Sequence, residues 1–471
     1  MRHVIRLAFV VAAAVAALGV TAALLAWAAL AAVSPPKAVS SAQSAAPAWT
    51  LPLRLTLFGR RFELEASVPV LLRGATHPLA ARLLDGRHID TAHGRWQLAA
   101  APDRSVIATC APCRLDIAAL GPAPLSLDRV QLTIAADGAD TYHGSLRVGA
   151  EAQTLSLHWR GQIDRRGRMH LKATLPASPL QHAVQVFGTD LPERGSVQVE
   201  GQIALSLDAH LPAGPWRVQP RIEGFAVAGL GTERLLDLQR PAACRDGSEA
   251  GVKAVGGWLP RAVVAAEDQR FFEHPGYDLA ALTGAWQHNQ SSGAALAGAS
   301  TLTQQLAKLV ITGDDRSAAR KLRELLYAVE MERTLGKARI LQLYLALAPW
   351  GEGVCGAERA VRVHLGQRDA STVGPVAAAW LASLLPQPDT LLRAEQRRGE
   401  VDAARVARVI EGLRPMKPER REKALAMLPF WSPPALTTRR LNVASGQAPT
   451  ALVAATAPAT VSTPEPGDAA P

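Results

Sequence analysis

Cysteine is scarce in this sequence, with four residues in a chain of 471. So low a content excludes the small folds that depend on a dense disulfide framework. A zinc ribbon needs two paired C-x-x-C units, and the chain has one such pair, Cys110 and Cys113, while Cys244 and Cys355 stand apart. We interpret the pair as a surface disulfide or two buried thiols rather than a metal site, and its oxidation state stays open.

Acidic residues are also few relative to basic ones. Asp and Glu number 41 and Lys and Arg 51, which gives a net charge of +10. This surplus suits an anionic partner, such as nucleic acid, a membrane surface or a phosphorylated substrate. Hydrophobic residues make up 48% of the chain and charged residues 20%, which excludes a disordered chain.

Charge is absent from the apolar run between Leu7 and Val33, which follows Arg2 and Arg6. A membrane-spanning helix needs about 20 such residues, whereas a cleavable signal has an apolar region of only about 7–15. We therefore predict an uncleaved signal-anchor helix over residues 1–33, with cleavage near Ala45 as the alternative. The basic residues keep the N-terminus in the cytoplasm, which places the rest of the chain outside.

Hydrophobic residues alternate with polar ones over residues 50–232, after a linker at 34–49 rich in Ser, Pro and Ala. Turn residues such as Asp137-Gly138 separate these runs, and the pattern predicts a β-rich antiparallel domain. We find no chemical motif in it, and we interpret its histidines as solvated or packed rather than as ligands.

The hydrophobic period becomes helical over residues 235–430, and residues 443–471 are mostly Ala, Pro, Thr and Ser. The second half is therefore predicted to be mainly helical and the tail to be disordered. Together these features predict an α+β protein with an N-terminal transmembrane helix, an antiparallel β-rich domain and a mainly α domain.

A first polar segment in the helical half runs from Pro260 to Gly276. Pro260 suits the first position of a helix, and that helix would end near Glu267. A carboxylate at a helix C-terminus among apolar neighbours has a raised pKa, which suits a general base. A solvated acidic helix end is the alternative.

Two further segments carry polar and charged groups. In the first, Ser300 or Thr301 can cap a helix that presents hydroxyls, amides and a lysine, a set that fits a sugar and a phosphate. In the second, Arg320 and Lys321 lie within one helical turn of Glu324 and could clamp a pyrophosphate. The alternatives are a capped surface helix and an exposed ion pair.

A fourth segment, Lys337 to Leu345, precedes a glycine-rich loop at 350–358. In this order and spacing the four segments resemble the motifs of glycosyltransferase family 51, the peptidoglycan glycosyltransferases, and most closely the monofunctional biosynthetic transglycosylases. The resemblance covers roughly residues 240–400. The chain departs from the family pattern at Leu309 and Ala346, where the family has asparagine.

The resemblance implies a lysozyme-like catalytic domain that polymerises lipid II into β-1,4-linked glycan and releases undecaprenyl pyrophosphate. It implies two catalytic carboxylates, Glu267 as the base and Glu324 to order the cations or to hold a metal ion. The metal ligands stay open, although a divalent ion such as Mg²⁺ would share in neutralising the leaving group. The substrate-binding positions that it implies are Asp268, Phe271, His274, Ser300, Thr301, Gln304, Gln305, Lys308, Arg320 and Lys321.

The implied partners are lipid II, the growing glycan strand, the membrane and other cell-wall synthesis proteins, with no nucleic acid. The implied location is the bacterial inner membrane, with one span and the catalytic domain on the periplasmic side. We expect no transpeptidase domain, since no K-T-G motif occurs and the one S-x-x-K lies in the linker at Ser34–Lys37. The alternatives are a catalytically degenerate scaffold that binds glycan and a muramidase-like hydrolase.

Overall fold

The computed structural model describes residues between 50 and 436, namely 50–57, 60–77, 82, 84–91, 94–115, 124–150, 152–212, 214–238, 255–284, 300–313, 317–434 and 436. The predicted anchor, linker and C-terminal tail lie outside these residues. Within them, no helix combines the length and the apolar character needed to cross a bilayer.

The first half of the chain forms one antiparallel sheet of eleven strands and a separate two-stranded pair, β6 with β7. The order in the large sheet is β13-β12-β11-β10-β9-β8-β5-β4-β3-β1-β2. The strands are β1 (Thr50–Leu57), β2 (Arg60–Ser67), β3 (His88–Thr91), β4 (Gly94–Ala100), β5 (Val106–Cys110), β6 (Cys113–Leu115), β7 (Leu125–Leu127), β8 (Val130–Ala136), β9 (Thr141–Val148), β10 (Leu155–Ile163), β11 (Met169–Pro179), β12 (Gln198–Leu211) and β13 (Trp216–Ala228).

One face of this sheet is buried and the other is in water. Along β12 the residues Leu205, Leu207 and Ala209 are buried, whereas Ser206 and His210 between and after them are exposed. This alternation follows from the two-residue period of a strand. Two short helices, α1 (Val68–Ala75) and α2 (Leu180–Phe187), pack into the same hydrophobic core. The prediction of a β-rich antiparallel domain is confirmed.

Cys110 and Cys113 form a disulfide, and neither side chain is exposed to solvent. The predicted surface position is therefore wrong, and so is the alternative of two thiols. The chain turns here from β5 into β6 above Gly94, where a side chain would come within 3.0 Å of the Cys110 sulfur. Cys355 is disulfide-bonded as well.

The second half of the described chain is helical, as predicted, and its lysozyme-like arrangement stays a prediction. Its first helix, α3, begins at Trp258, so Pro260 is its third residue and not its first. Proline is tolerated there because the first four N–H groups of a helix have no intrahelical acceptor. The helices are α3 (Trp258–Glu267), α4 (Leu302–Ala307), α5 (Ala318–Thr334), α6 (Gly336–Leu347), α7 (Ala357–Leu365), α8 (Pro375–Leu384), α9 (Pro388–Arg398), α10 (Ala403–Gly412) and α11 (Pro418–Met427).

Helix α5 joins the sheet half to the helical half. The two carboxylate oxygens of Glu193, between α2 and β12, share the Arg323 Nε–H at 2.9 and 3.0 Å, and Oε1 also accepts from the Tyr327 hydroxyl at 3.0 Å. One turn further, Glu330 accepts a hydrogen bond from the backbone N–H of Leu230 at 3.0 Å. The helix that carries Arg320, Lys321 and Glu324 is thus held from the side of the sheet.

Candidate active site

Glu267 is the last residue of α3, and its two carboxylate oxygens have different surroundings. Oε2 accepts a hydrogen bond from the Gln305 Nε2 at 2.9 Å. Oε1 is buried and, within the described part of the chain, has no hydrogen-bond partner. Burial raises the pKa of Glu267 and Asp268 adds repulsion, while the Gln305 hydrogen bond opposes both. A buried carboxylate with an unused oxygen can accept a proton from a bound hydroxyl.

Gln305 is fixed by a second residue, Tyr344 on α6. The Tyr344 hydroxyl donates to the Gln305 Oε1 at 2.8 Å, so the amide must point its N–H groups toward Glu267. Burial, with the charge of Glu267, raises the pKa of Tyr344 well above its ordinary value, so the phenol stays protonated and donates. The sequence interpretation missed this residue, although its motif includes Tyr344.

Asp268 ties the first motif to the start of α4. Its carboxylate accepts hydrogen bonds from the His274 Nε2 at 3.0 Å and from the backbone N–H of Leu302 at 2.9 Å. The His274 Nδ1 accepts from the Gly276 N–H at 3.3 Å, which assigns the ring proton to Nε2. Gly276 has a φ of +90°, and a side chain there would lie 2.8 Å from the Ala328 carbonyl oxygen. The buried groups of this motif therefore position Glu267 and α4.

Thr301, and not Ser300, caps α4. Its side chain accepts from the Gln304 N–H at 3.2 Å, and the Gln304 Oε1 accepts from the Thr301 N–H at 3.1 Å, which is a capping box. Both side chains are buried. The structure gives a partner within the chain to each of five predicted substrate-binding side chains, namely Asp268, Phe271, His274, Thr301 and Gln304. Their contacts with substrate stay predictions.

The first two turns of α5 hold a cluster of charge around Glu324. The Glu324 carboxylate, in a residue that is 1% exposed, pairs with Arg320 through Oε1 and with the Lys321 Nζ through Oε2 at 2.7 Å. The alternative of an exposed surface pair is therefore wrong. Burial, with repulsion from Arg320 and Lys308, lowers the pKa of Lys321 to about 8. The Glu324 carboxylate thus contacts two cationic side chains, and Lys308 acts on the charge of Lys321. The excess positive charge suits an anionic ligand.

Helix α4 connects Glu267 to the cations around Glu324. At its start the Ser300 hydroxyl lies 3.1 Å from the Lys321 Nζ, and one helical turn later Gln305 contacts Glu267. Lys308 follows at the end of the same helix. The structure therefore brings together Glu267, Gln305, Ser300, Lys308, Arg320, Lys321 and Glu324 from the predicted set.

Lys337 and Glu332 are the other residues that the sequence interpretation did not place in the site. The Lys337 Nζ lies 2.8 Å from Glu332, 2.6 Å from the His274 carbonyl oxygen and 4.4 Å from the centre of the Phe271 ring. Glu332 also accepts from the Thr303 hydroxyl at 2.5 Å. Lys337 begins the fourth motif, and this position was the sequence feature that could have indicated it. Through its own contacts and those of Glu332 it connects the first, second and fourth motifs.

Comparison with known proteins adds to this geometry. A family model described as Transglycosylase matches residues 243–413. A biosynthetic peptidoglycan transglycosylase of Nitrosomonas eutropha is 41% identical over 174 residues, which is 37% of this chain and 70% of that protein. The chain belongs to the transglycosylase family.

Other members of the transglycosylase family align over shorter stretches. The protein of the same description from Thiobacillus denitrificans is 45% identical over 130 residues, 28% of this chain and 56% of that protein. The one from Nitrosomonas europaea is 39% identical over 155 residues, 33% of this chain and 63% of that protein. The chain thus spans about three fifths of these two relatives. The family match begins after β13, so the sheet half lies outside it.

Proposed function

We propose that this protein is a peptidoglycan glycosyltransferase that polymerises lipid II into β-1,4-linked glycan strands and releases undecaprenyl pyrophosphate. The observation that carries the proposal is a buried carboxylate with an unused oxygen, Glu267, joined through α4 to the cations around Glu324. Membership of the transglycosylase family and the names of its relatives support the same activity.

Glu267 is the proposed base. Its carboxylate removes the proton from the sugar 4-hydroxyl of the acceptor lipid II, and the oxygen of that hydroxyl forms a bond to the anomeric carbon of the growing strand. The raised pKa of Glu267 makes it a better proton acceptor than a solvated carboxylate. Attack opposite the leaving group inverts the anomeric carbon and gives the β-linkage.

The cations of α4 and α5 receive the leaving group. As the bond from the anomeric carbon to the pyrophosphate oxygen breaks, its electron pair goes to the pyrophosphate. Lys308, Arg320 and Lys321 are proposed to neutralise the charge that develops there, which stabilises the transition state more than the ground state. Glu324 pairs with two of these cations and positions them.

The expected Mg²⁺ stays a prediction, and the carboxylates of Glu324 and Asp268 do not fit a resident ion. Both Glu324 oxygens contact cations, and both Asp268 oxygens accept hydrogen bonds. Mg²⁺ prefers about six oxygen ligands, so most of them would be water and substrate oxygens.

The membrane anchor over residues 1–33, the inner-membrane location and the absence of a transpeptidase domain belong to the same proposal. An anchor concentrates the enzyme where its lipid-linked substrates lie, and a net charge of +10 suits an anionic membrane surface. Deleting residues 1–33 is expected to move the protein from the membrane fraction to the soluble fraction. A deletion variant that still sediments with membranes in high salt would contradict this role.

The direct test of the activity is to incubate the purified full chain with lipid II and to separate the products by size. Glycan polymer together with undecaprenyl pyrophosphate supports the proposal. A wild-type chain that binds lipid II and forms no polymer would support a scaffold. Leu309 and Ala346, which replace family asparagines, would then be the first candidates for the cause of the lost activity. Cleavage of preformed glycan without polymer formation would support a hydrolase.

A further inference from the structure

Two histidines and an aspartate converge on the exposed face of the sheet, far along the chain from the motifs of the active site. They are His170 on β11 and Asp208 and His210 on β12, and one potential ligand atom of each lies within 4.8 Å of the others. The His170 Nε2 is 2.9 Å from the Asp208 Oδ1. The two imidazole rings are parallel within 4° with their centroids 4.4 Å apart.

The register of the sheet produces this convergence. His170 and His210 are direct Cα partners across the antiparallel pair β11 and β12. Asp208 lies two residues before His210, so its side chain is on the same face. Their neighbours Leu171, Ala209 and Leu211 point to the opposite face and are buried. Since that packing fixes the register, the three polar side chains are held together by the core below them.

The donor set is that of a borderline divalent metal ion. Imidazole nitrogen and carboxylate oxygen bind Zn²⁺ at about 2.0–2.2 Å, and open zinc sites use three protein ligands and water. Two ligand atoms on such an ion lie about 3–3.5 Å apart by these bond lengths. The separation of 2.9 Å between His170 and Asp208 is already close to this value. The ligand atom of His210 lies within 4.8 Å of the other two, so its side chain would have to move closer to share the ion.

We propose that His170, Asp208 and His210 form a binding site for one divalent metal ion of the zinc class, with its remaining positions open to solvent. The ion would join β11 to β12 and present a Lewis-acidic centre on the outer face of the sheet. The site is independent of lipid II polymerisation, because it lies in the half of the chain outside the family match.

Two neighbouring cations limit the affinity of this site for a metal ion. Lys172 and Arg217 are the Cα partners of Asp208 on the two neighbouring strands, and both are exposed. Neither forms an ion pair with Asp208 in the part of the chain that the structure describes, where its partner is His170. Both cations lie directly across from Asp208 and repel a divalent ion, which lowers the affinity of the site.

The experiment is a titration of the full chain, purified without a polyhistidine tag, with Zn²⁺ in competition with a chromogenic chelator. We expect one equivalent to bind at low micromolar zinc and to raise the Tm. His170→Gln and His210→Gln should each weaken this binding by at least the roughly tenfold that loss of an outer-sphere partner costs. Co²⁺ should give an absorption spectrum of a low-coordinate nitrogen and oxygen site in the wild type that is lost in either variant.

His158→Gln is the matched control. His158 is exposed on the same face of the sheet, on β10, and is not one of the three proposed ligands. This variant should bind zinc as the wild type does. Failure of the wild type to bind one equivalent, or equal binding by the wild type and the His170→Gln/His210→Gln double variant, would overturn the proposal. Either result would leave the polymerisation of lipid II untouched.

Discussion

The two carboxylates of the proposed mechanism, Glu267 and Glu324, lie in opposite environments. Glu267, at the end of α3, has no cation in contact with it among the described residues, and one of its oxygens is unused. Glu324, in the second turn of α5, is more deeply buried and contacts two cations. Burial without a counter-charge raises the basicity of a carboxylate, whereas burial beside cations keeps it ionised. The two environments suit the proposed roles, a base at Glu267 and a positioning group at Glu324.

The largest effect on activity is expected from removing the proposed base, Glu267. Glu267→Gln keeps the shape of the side chain and removes its ability to accept a proton. Lipid II polymerisation should slow by about 10²–10⁴-fold, while the Tm changes little. The matched control is Glu273→Gln, whose side chain is 64% exposed and which should polymerise normally. A wild-type rate in Glu267→Gln would remove this residue from the mechanism.

The next largest effect should come from the cations. Lys321→Ala should lower turnover by about 10²–10³-fold, with a smaller loss of lipid II affinity, because charge on the leaving oxygen grows as the bond breaks. Turnover and lipid II binding should be measured on the same preparation. Arg333→Ala, at an exposed position of the same helix, is the control. Equal losses of binding and turnover in Lys321→Ala would point to a binding site without catalysis.

Removing the charge of Glu324 should also lower the stability of the fold, which separates the two carboxylate environments. Glu324→Gln leaves two partly buried cations without their counter-charge. Breaking a buried ion pair costs about 3–5 kcal/mol. Glu267→Gln removes no cation's partner and should cost much less. Denaturant unfolding of both variants compares the two environments directly. Equal stabilities would show that the environments do not differ as described.

The smallest predicted effect concerns the contact between the two halves. Glu193→Ala removes the acceptor for Arg323 and Tyr327, and a hydrogen bond to a charged group is worth about 1.5–3 kcal/mol. The free energy of unfolding should fall by that amount, and polymerisation should slow only a few-fold. Glu200→Ala, exposed on β12, serves as the control. A loss of activity as large as that of Lys321→Ala would instead make the sheet part of the catalytic machinery.

Sequence reasoning did best where the structure is local. The placement of Arg320 and Lys321 around Glu324 follows from helix geometry alone, and α3 ends at Glu267 as predicted. The capping box of Thr301 and Gln304 was also visible in the sequence as a threonine followed three residues later by glutamine. The sequence alone offers Thr301 as a cap, but it does not separate a capping role of Gln304 from the substrate contact that the family resemblance implies.

Contacts between segments that are distant in the chain could not be predicted from the sequence. The hydrogen bonds from Tyr344 through Gln305 to Glu267 need α6 to pack on α4, which no local pattern specifies. In the sheet half, alternation predicted strands but not their register. The meeting of His170 with His210 therefore became visible only when β11 was paired with β12.

The pH dependence of kcat/KM for lipid II polymerisation tests the contrast between the two environments most directly, because it reports the essential groups of the unliganded enzyme. Glu267 must be deprotonated to act, so the rate should rise with pH through a pKa above the ordinary glutamate value. Lys321 must be protonated, so the rate should fall above a pKa of about 8. Lys321→Arg should move the falling limb to higher pH and leave the rising limb in place. A profile that stays flat through this range, or a falling limb unchanged in Lys321→Arg, would contradict the account.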